Sequence, residues 1–367
     1  MNITVHRNAL LKPLQAISGV IDKKQSQPIL ANVLLSTKDN QLCLTGTDLE
    51  MELVGTVPLL SMTEPGRTTV SARKLFDICR VLPEDAILSL SLGKNNLLLR
   101  SGESCFTLKT LPAEEFPNLE NHIYATELTV SEAGLKQLLT KTYFAMGEQD
   151  VRHYLNGILL DIKQKKIQCV AMDGHRLAFA AIHEDRIDHV EMQALLPRKS
   201  VLELMRLLEN DSDADMTLRV NEQRICVTAK HFIFTSKLIH ARYPDYQRVI
   251  PQGATTVVLE RDAIKQALIR AAILSNEKFR GVRLQLENNR LLISANNAEQ
   301  EQVEEVVSLD YAGNAMEVGF NVSYLLDAIS TLSSAAIRFI FTDAQGGLLI
   351  RSETDEPHFY VVMPMRF

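Results

Sequence analysis

Asp173-Gly174-His175-Arg176 is the stretch of this 367-residue chain whose residue types come nearest to an active site. An aspartate next to a histidine suggests proton-transfer chemistry. Such a pair needs a nucleophile, a metal or a bound phosphate to act upon. The sequence has no G-x-S-x-G turn, no His/Glu metal spacing and no glycine-rich phosphate loop. The related positions elsewhere in the chain hold Glu50 and Glu299, so no active site repeats. The stretch reads as a structural or binding element; no catalytic residue, metal or cofactor is expected.

The relatives of that stretch reveal the organisation. Val170–Leu177, Thr45–Glu50 and Ser294–Glu299 each close a short apolar strand, and Asp48, Asp173 and Asn297 are spaced by 125 and 124 residues. Upstream, Leu10, Leu14 and Ile17 form one helical face, as do Leu135, Leu138 and Leu139, and Ile264, Ala267, Leu268 and Ala271. Downstream, Leu75, Ile78, Cys79 and Leu82 share the offsets of Val201, Leu204, Met205 and Leu208, and of Leu325, Ala328, Ile329 and Leu332. The chain is an internal triplication.

Each copy reads strand, helix, hairpin, strand, helix, hairpin, strand. Polar tips such as Lys38-Asp39-Asn40, Gly93-Lys94-Asn95-Asn96 and Asp343-Ala344-Gln345-Gly346-Gly347 mark the hairpins. Helices segregated from antiparallel strands make each copy α+β. Aromatic-Pro corners at Phe116-Pro117 and Tyr243-Pro244 end the first two copies. Linkers are expected near 120–127 and 250–256, giving domains 1–125, 126–253 and 254–367.

The five cysteines lie far apart, which predicts reduced core thiols rather than a metal site. No leader-like or membrane-spanning apolar run is present in the sequence, and a cytoplasmic protein is expected. The net charge of −6 argues against a general nucleic-acid binder. Yet the helical windows 10–24, 73–81, 131–143, 198–208, 260–271 and 323–333 hold 14 of the 39 Lys and Arg and only 7 of the 45 Asp and Glu. Solvated amphipathic faces would explain one such helix. The same bias in five of six points to a shared basic surface for a polyanion. At the other extreme, Phe359–Met365 is apolar on both strand faces, and Pro364 cannot donate to a ladder. The adjoining methionines give an adaptable apolar surface suited to several partners.

With these residues on view, the chain resembles the bacterial sliding-clamp family, the β subunits of DNA polymerase III. The resemblance rests on Leu44–Met51, Val151–Gly157, Asp173–Leu177, Ala272–Arg283, Gly319–Tyr324 and Tyr360–Arg366, and spans all three copies. It implies three tandem clamp domains, closed by a head-to-tail homodimer into a ring. Helices would line the hole around duplex DNA and antiparallel sheets would form the outer wall. A ring-like protein-binding scaffold that encloses no DNA is the alternative.

The resemblance also implies residues. Sequence-independent DNA contact falls to Lys12, Lys24, Arg73, Lys136, Lys199 and Arg206, with Gln149, His153, Tyr154 and Arg198. A cleft for linear motifs of polymerase subunits, the clamp loader and repair proteins falls to Leu155, Met172, Gly174, His175, Arg176 and Leu177. Pro244, Arg248, Val249 and Tyr324 join it, with the terminal Val361, Val362, Met363, Pro364, Met365 and Arg366. The dimer interface falls to Lys74, Phe106 and Leu108 against Ile273, Leu274, Glu299, Glu301 and Glu304. Met172 stands where the family places a small polar residue. Glu103 and Cys105 stand where arginines are frequent, so some cross-interface ion pairs are lost or rearranged.

Overall fold

A computed structural model describes residues 1–21, 27–117, 123–187, 190–252, 255–343, 346–354 and 356–366. Lys24, Ala344, Gln345 and Phe367, with parts of both expected linkers, lie outside the described residues. The first copy comprises β1 (Asn2–His6), α1 (Arg7–Val20), β2 (Asn32–Lys38), β3 (Gln41–Thr47), β4 (Met51–Pro58), β5 (Ser61–Glu64), β6 (Arg67–Ser71), α2 (Ala72–Val81), β7 (Ile87–Leu92), β8 (Asn96–Ser101) and β9 (Ser104–Leu111). The second comprises β10 (Thr126–Ser131), α3 (Glu132–Thr142), β11 (Gly157–Lys163), β12 (Lys166–Met172), β13 (Arg176–His183), β14 (Met192–Pro197), α4 (Arg198–Leu207), β15 (Asp215–Val220), β16 (Arg224–Thr228) and β17 (Phe232–Lys237). The third comprises β18 (Thr255–Glu260), α5 (Arg261–Ile273), β19 (Gly281–Glu287), β20 (Arg290–Asn296), β21 (Gln302–Ser308), β22 (Met316–Asn321), α6 (Val322–Thr331), β23 (Ala336–Phe341), β24 (Leu348–Ser352) and β25 (His358–Val362).

The fold is α+β, and each copy has at least one strand more than the sequence pattern implies. The first meander has three strands, not two. Its third strand in copy one, β4, is buried along most of its length, and so carries no polar/apolar alternation to announce it. The short β5 is a further addition, pairing with β1 on the edge away from β7. The helices fall where the periodicity puts them, since their apolar stripes are the buried faces: Leu10, Leu14 and Ile17 on α1, and Leu325, Ala328 and Ile329 on α6. Of the five thiols, Cys79, Cys169 and Cys226 are buried, but Cys105 on β9 is exposed.

The chain divides into two compact units, Met1–Lys136 with Lys199–His240, and Gln137–Arg198 with Ala241–Phe367. The first unit holds a 13-stranded sheet in which β17 pairs with β4, Phe234 opposite Leu53. The second holds an eight-stranded sheet in which β25 pairs with β13, Tyr360 opposite Ala178, and a four-stranded sheet ordered β21-β20-β19-β22. One strand-to-strand joint is thus used twice: the last strand of one copy joins the third strand of the preceding copy's first meander.

A cation from the first helix of each copy caps the second. Arg7 donates to the carbonyls of Cys79 (2.5 Å) and Arg80 (3.0 Å) at the end of α2. Arg261 does the same for Leu332 (2.9 Å) and Ser333 (3.2 Å) after α6. In copy two Glu132 occupies the equivalent site and accepts from the Glu209 amide, while Lys136 donates to the carbonyls of Met205 and Leu208. Positive charge at a helix C-terminus satisfies orphan carbonyls and offsets the macrodipole. Part of the basic bias of the helices is therefore structural.

Candidate partner cleft, basic helix faces and open strand edges

The Asp173 turn is built by its own side chain. Asp173 Oδ1 accepts from the amides of His175 (2.8 Å) and Arg176 (3.0 Å), and Gly174 takes φ +90°, a conformation open to glycine at no steric cost. The Met363 amide donates to the His175 carbonyl (2.8 Å), and two residues on the Met365 amide donates to Gly319 on β22 (2.8 Å). The turn and the C-terminal segment therefore lie side by side, although about 190 positions separate them in the chain. Tyr243 and Tyr246 fasten the Pro244–Val249 segment to β12 through the Val170 carbonyl (3.5 Å) and Gln168 (3.2 Å).

Several expected lining residues have other duties. Arg176 is only 13% exposed; it donates to Asp173 (3.0 Å), Asp327 (2.6 Å) and the Phe144 carbonyl (2.5 Å), and its guanidinium lies 4.2 Å from the Tyr324 ring centre. It is a pin that orients the turn, not a free polar group at the cleft edge. Val361 and Val362 are each 1% exposed, because β25 is an interior strand of its sheet. Leu155, Met172 and Leu177 are also buried. The accessible surface comes from Gly174, His175, Pro244, Arg248, Val249, Met363 and Arg366, with Tyr324, Pro364 and Met365 half-buried. Sequence reasoning missed Asp327 and Phe144, since no local pattern marks a partner 151 or 32 residues away. Burial raises the Tyr324 pKa, with the Asp173 charge next.

Behind the cleft, Lys141 of α3 lies 3.0 Å from His358 Nδ1, and His358 Nε2 lies 3.0 Å from Glu356. Burial, then the Lys141 charge, lowers the His358 pKa from 6.5 to about 4, against the opposing pull of Glu356. A neutral His358 favours the folded state. Its contribution is fully present above pH 6.5 and lost as pH falls through the folded value, about 3 kcal/mol in all between pH 6.5 and 4. Denaturant titrations across that window should show this slope in the native chain and its absence in a His358→Gln chain.

The basic residues sort into two groups. Lys12, Arg73 and Arg206 are largely exposed, in ion pairs with Glu209, Asp77 and Glu203. His153 and Gln149 are exposed and Tyr154 is half-buried, while Arg198 donates to the Met146 carbonyl (3.3 Å). Lys136 and Lys199 differ from the expectation of solvent-facing heads. Lys136 is the α4 cap, with its pKa lowered by burial, and Lys199 pairs with the nearly buried Asp48.

Two open strand edges stand at corresponding ends of the repeat. Along Ser104–Lys109, β9 pairs only with β8, and β21 pairs only with β20. Ile273 (75% exposed) and Val306 (58%) lie bare near the second edge, with Leu274 half-buried. Lys74, Glu299, Glu301 and Glu304 are exposed and Phe106 is half-buried, but Leu108 is already buried within its own sheet.

Family models for the DNA polymerase III beta subunit match the chain as an N-terminal domain over residues 1–120, a central domain over 129–245 and a C-terminal domain over 247–366. The sequence is 47% identical to the beta sliding clamp of Escherichia coli K12 and 45% identical to that of Pseudomonas aeruginosa, each over the full length of both chains. The fold superposes on the P. aeruginosa DNA polymerase III subunit beta bound to griselimycin with a TM-score of 0.96 at 45% identity. It superposes on Caulobacter crescentus pol III beta with a TM-score of 0.94 at 34% identity; both matches cover all of each chain.

Proposed function

The chain belongs to the DNA polymerase III beta-subunit family, the non-catalytic beta sliding clamps, and on that premise we propose which of its residues close the ring, face DNA and hold partners. Residues 1–125, 126–253 and 254–367 act as three clamp domains. Two chains join head to tail around duplex DNA and tether the replicative polymerase. The work is cytoplasmic, at the replication fork; no helix among the described residues is long and apolar enough to cross a membrane.

The observation that carries this reading is the repeated joint. With β17 on β4 and β25 on β13, the two members of that joint left over are β9 and β21, and each has an open edge. A heterologous contact must close or polymerise, and a ring of two chains closes it. The register follows from the copies. Ser236 opposes Met51 and Val362 opposes Arg176, which by repeat equivalence sets Leu108 opposite Glu301, Phe106 opposite Val303 and Cys105 opposite Glu304 of a second chain. Ile273 and Leu274 add apolar area, and Lys74 faces the acidic run that holds Glu299. Directly opposed residues on antiparallel strands lie within disulfide reach. A Glu304→Cys chain should therefore form a covalent dimer through native Cys105 on mild oxidation. A Val306→Cys chain, displaced by two residues, should not. Equal cross-linking of both chains would refute the register.

Toward DNA, the exposed Lys12 and Arg73 exchange weak surface ion pairs, worth about 0–1 kcal/mol each, for phosphates, and the exposed Arg206 reaches them from beside the buried Glu203. Gln149, His153, Tyr154 and Arg198 supply further DNA contacts in this reading. Partner motifs from polymerases, the clamp loader and repair proteins seat on Gly174, His175, Pro244, Arg248, Val249 and Tyr324, closed by Met363–Arg366.

A further inference from the structure

The triplication places a counterpart of the partner cleft at the joint between copies one and two, and the counterpart is filled. Its turn is the same object as the Asp173 turn. Asp48 Oδ1 accepts from the amides of Glu50 (2.9 Å) and Met51 (2.7 Å), as Asp173 Oδ1 does from His175 and Arg176. The Lys237 amide donates to the Glu50 carbonyl at 2.8 Å, as the Met363 amide does to His175 at 2.8 Å. One position differs in kind. Where the second copy has Gly174 at φ +90°, the first has Leu49 at φ +75°.

A leucine in the left-handed region is strained, because its Cβ crowds the backbone. It persists there because its side chain is held. Leu49 packs against a buried cluster that contains Ile29, Leu30, Leu34 and Phe116. Leu30 and Phe116 are the repeat counterparts of Leu155 and of Tyr243, which fastens the Pro244–Val249 segment, and Leu34 is that of the buried Leu159 on β11. The Lys237–Glu50 ion pair (2.8 Å) lies at the mouth, where the cleft has Met363 and His175.

We propose that Leu49 is a built-in occupant of this second pocket: it takes the place of a partner's apolar anchor and leaves each chain a single site for linear motifs. The turn residue, Gly174 or Leu49, decides which joint is open. This inference rests on the cleft reading above for what the open joint binds, but not for whether the first joint is closed.

Two reciprocal variants test it in the full-length dimer. Leu49→Gly relieves the strained turn, which offsets part of the lost packing, and opens a cavity that takes a leucine side chain. With Ile and Leu methyl labels, N-acetyl-leucinamide at millimolar concentration should then shift the signals of Ile29, Leu30 and Leu34 in the variant and leave them still in the native chain. Gly174→Leu should block the cleft. Its added Cβ meets the exposed Arg152 guanidinium at 2.9 Å, a group that can swing away, and its backbone at φ +90° carries the kind of strain that Leu49 already bears at +75°; a circular-dichroism melt checks that the chain folds. Binding of a fluorescent peptide from the polymerase tail should fall at least 30-fold. Unshifted methyls in Leu49→Gly, or shifts already present in the native chain, would overturn the plug. Retention of peptide affinity by Gly174→Leu would overturn the role of the turn residue. If the native chain itself fails to bind the tail peptide, the cleft reading falls, while the amide titration still decides whether Leu49 is a plug.

Discussion

A chain that ends at Val362 is expected to remain a folded dimer and to lose its polymerase and loader partners. The segment removed holds Met363, which is 39% exposed, and the half-buried Pro364 and Met365, the accessible apolar part of the proposed cleft. Its loss also removes two backbone hydrogen bonds, Met363 to His175 and Met365 to Gly319, at a cost of about 1 kcal/mol each. That lowers stability modestly and leaves β25 paired on both sides. A short motif with one or two apolar anchors binds with roughly micromolar affinity, about 8 kcal/mol. Loss of the surface those anchors bury, at about 1.5–3 kcal/mol each, should weaken a polymerase tail peptide by roughly 100-fold. Fluorescence anisotropy against the native dimer reads this directly. Unchanged affinity would move the cleft elsewhere.

Arg176→Ala should be worse, and in a different way. The guanidinium satisfies Asp173, Asp327 and the Phe144 carbonyl at once and lies over Tyr324. Its removal strands a partly buried carboxylate and a carbonyl, and pairs broken in this way cost about 3–5 kcal/mol. The exposure of Asp327 puts the loss toward the lower figure. Urea denaturation should show a stability drop near 3 kcal/mol together with lost peptide binding. Arg176→Lys should recover little, because an ammonium cannot fork between two carboxylates and a carbonyl. A fully stable Arg176→Ala chain with weak binding would mean that Arg176 touches the ligand and is not a pin.

Much of this was legible in the sequence, because repetition amplifies weak signals. Three copies of one helical offset pattern fixed the helices, and the spacing of Asp48, Asp173 and Asn297 fixed the turns. What failed was local pattern without contrast. β4 is buried on both faces, so nothing in its alternation separates it from its neighbours. The terminal valines were expected in the cleft from the family resemblance, but an interior strand buries both faces, and only the chain beyond Val362 leaves the sheet. Lys136 and Lys199 show the same limit for charge. Composition counts cations and cannot tell one that faces solvent from one that caps a helix or pairs with Asp48. The positive φ of Leu49 had no sequence signature, since glycine is the residue that announces such a backbone.

The proposed ring holds DNA by enclosing it, with the β9 and β21 edges as the closure. The most direct test is to load the dimer with its clamp loader onto a nicked circular plasmid, remove free protein by gel filtration, and linearise half of the sample at one site. Enclosure predicts that the clamp stays on the circle at moderate salt and leaves the linear molecule by sliding off its ends. Equal retention on the two, or equal loss from them, would contradict it.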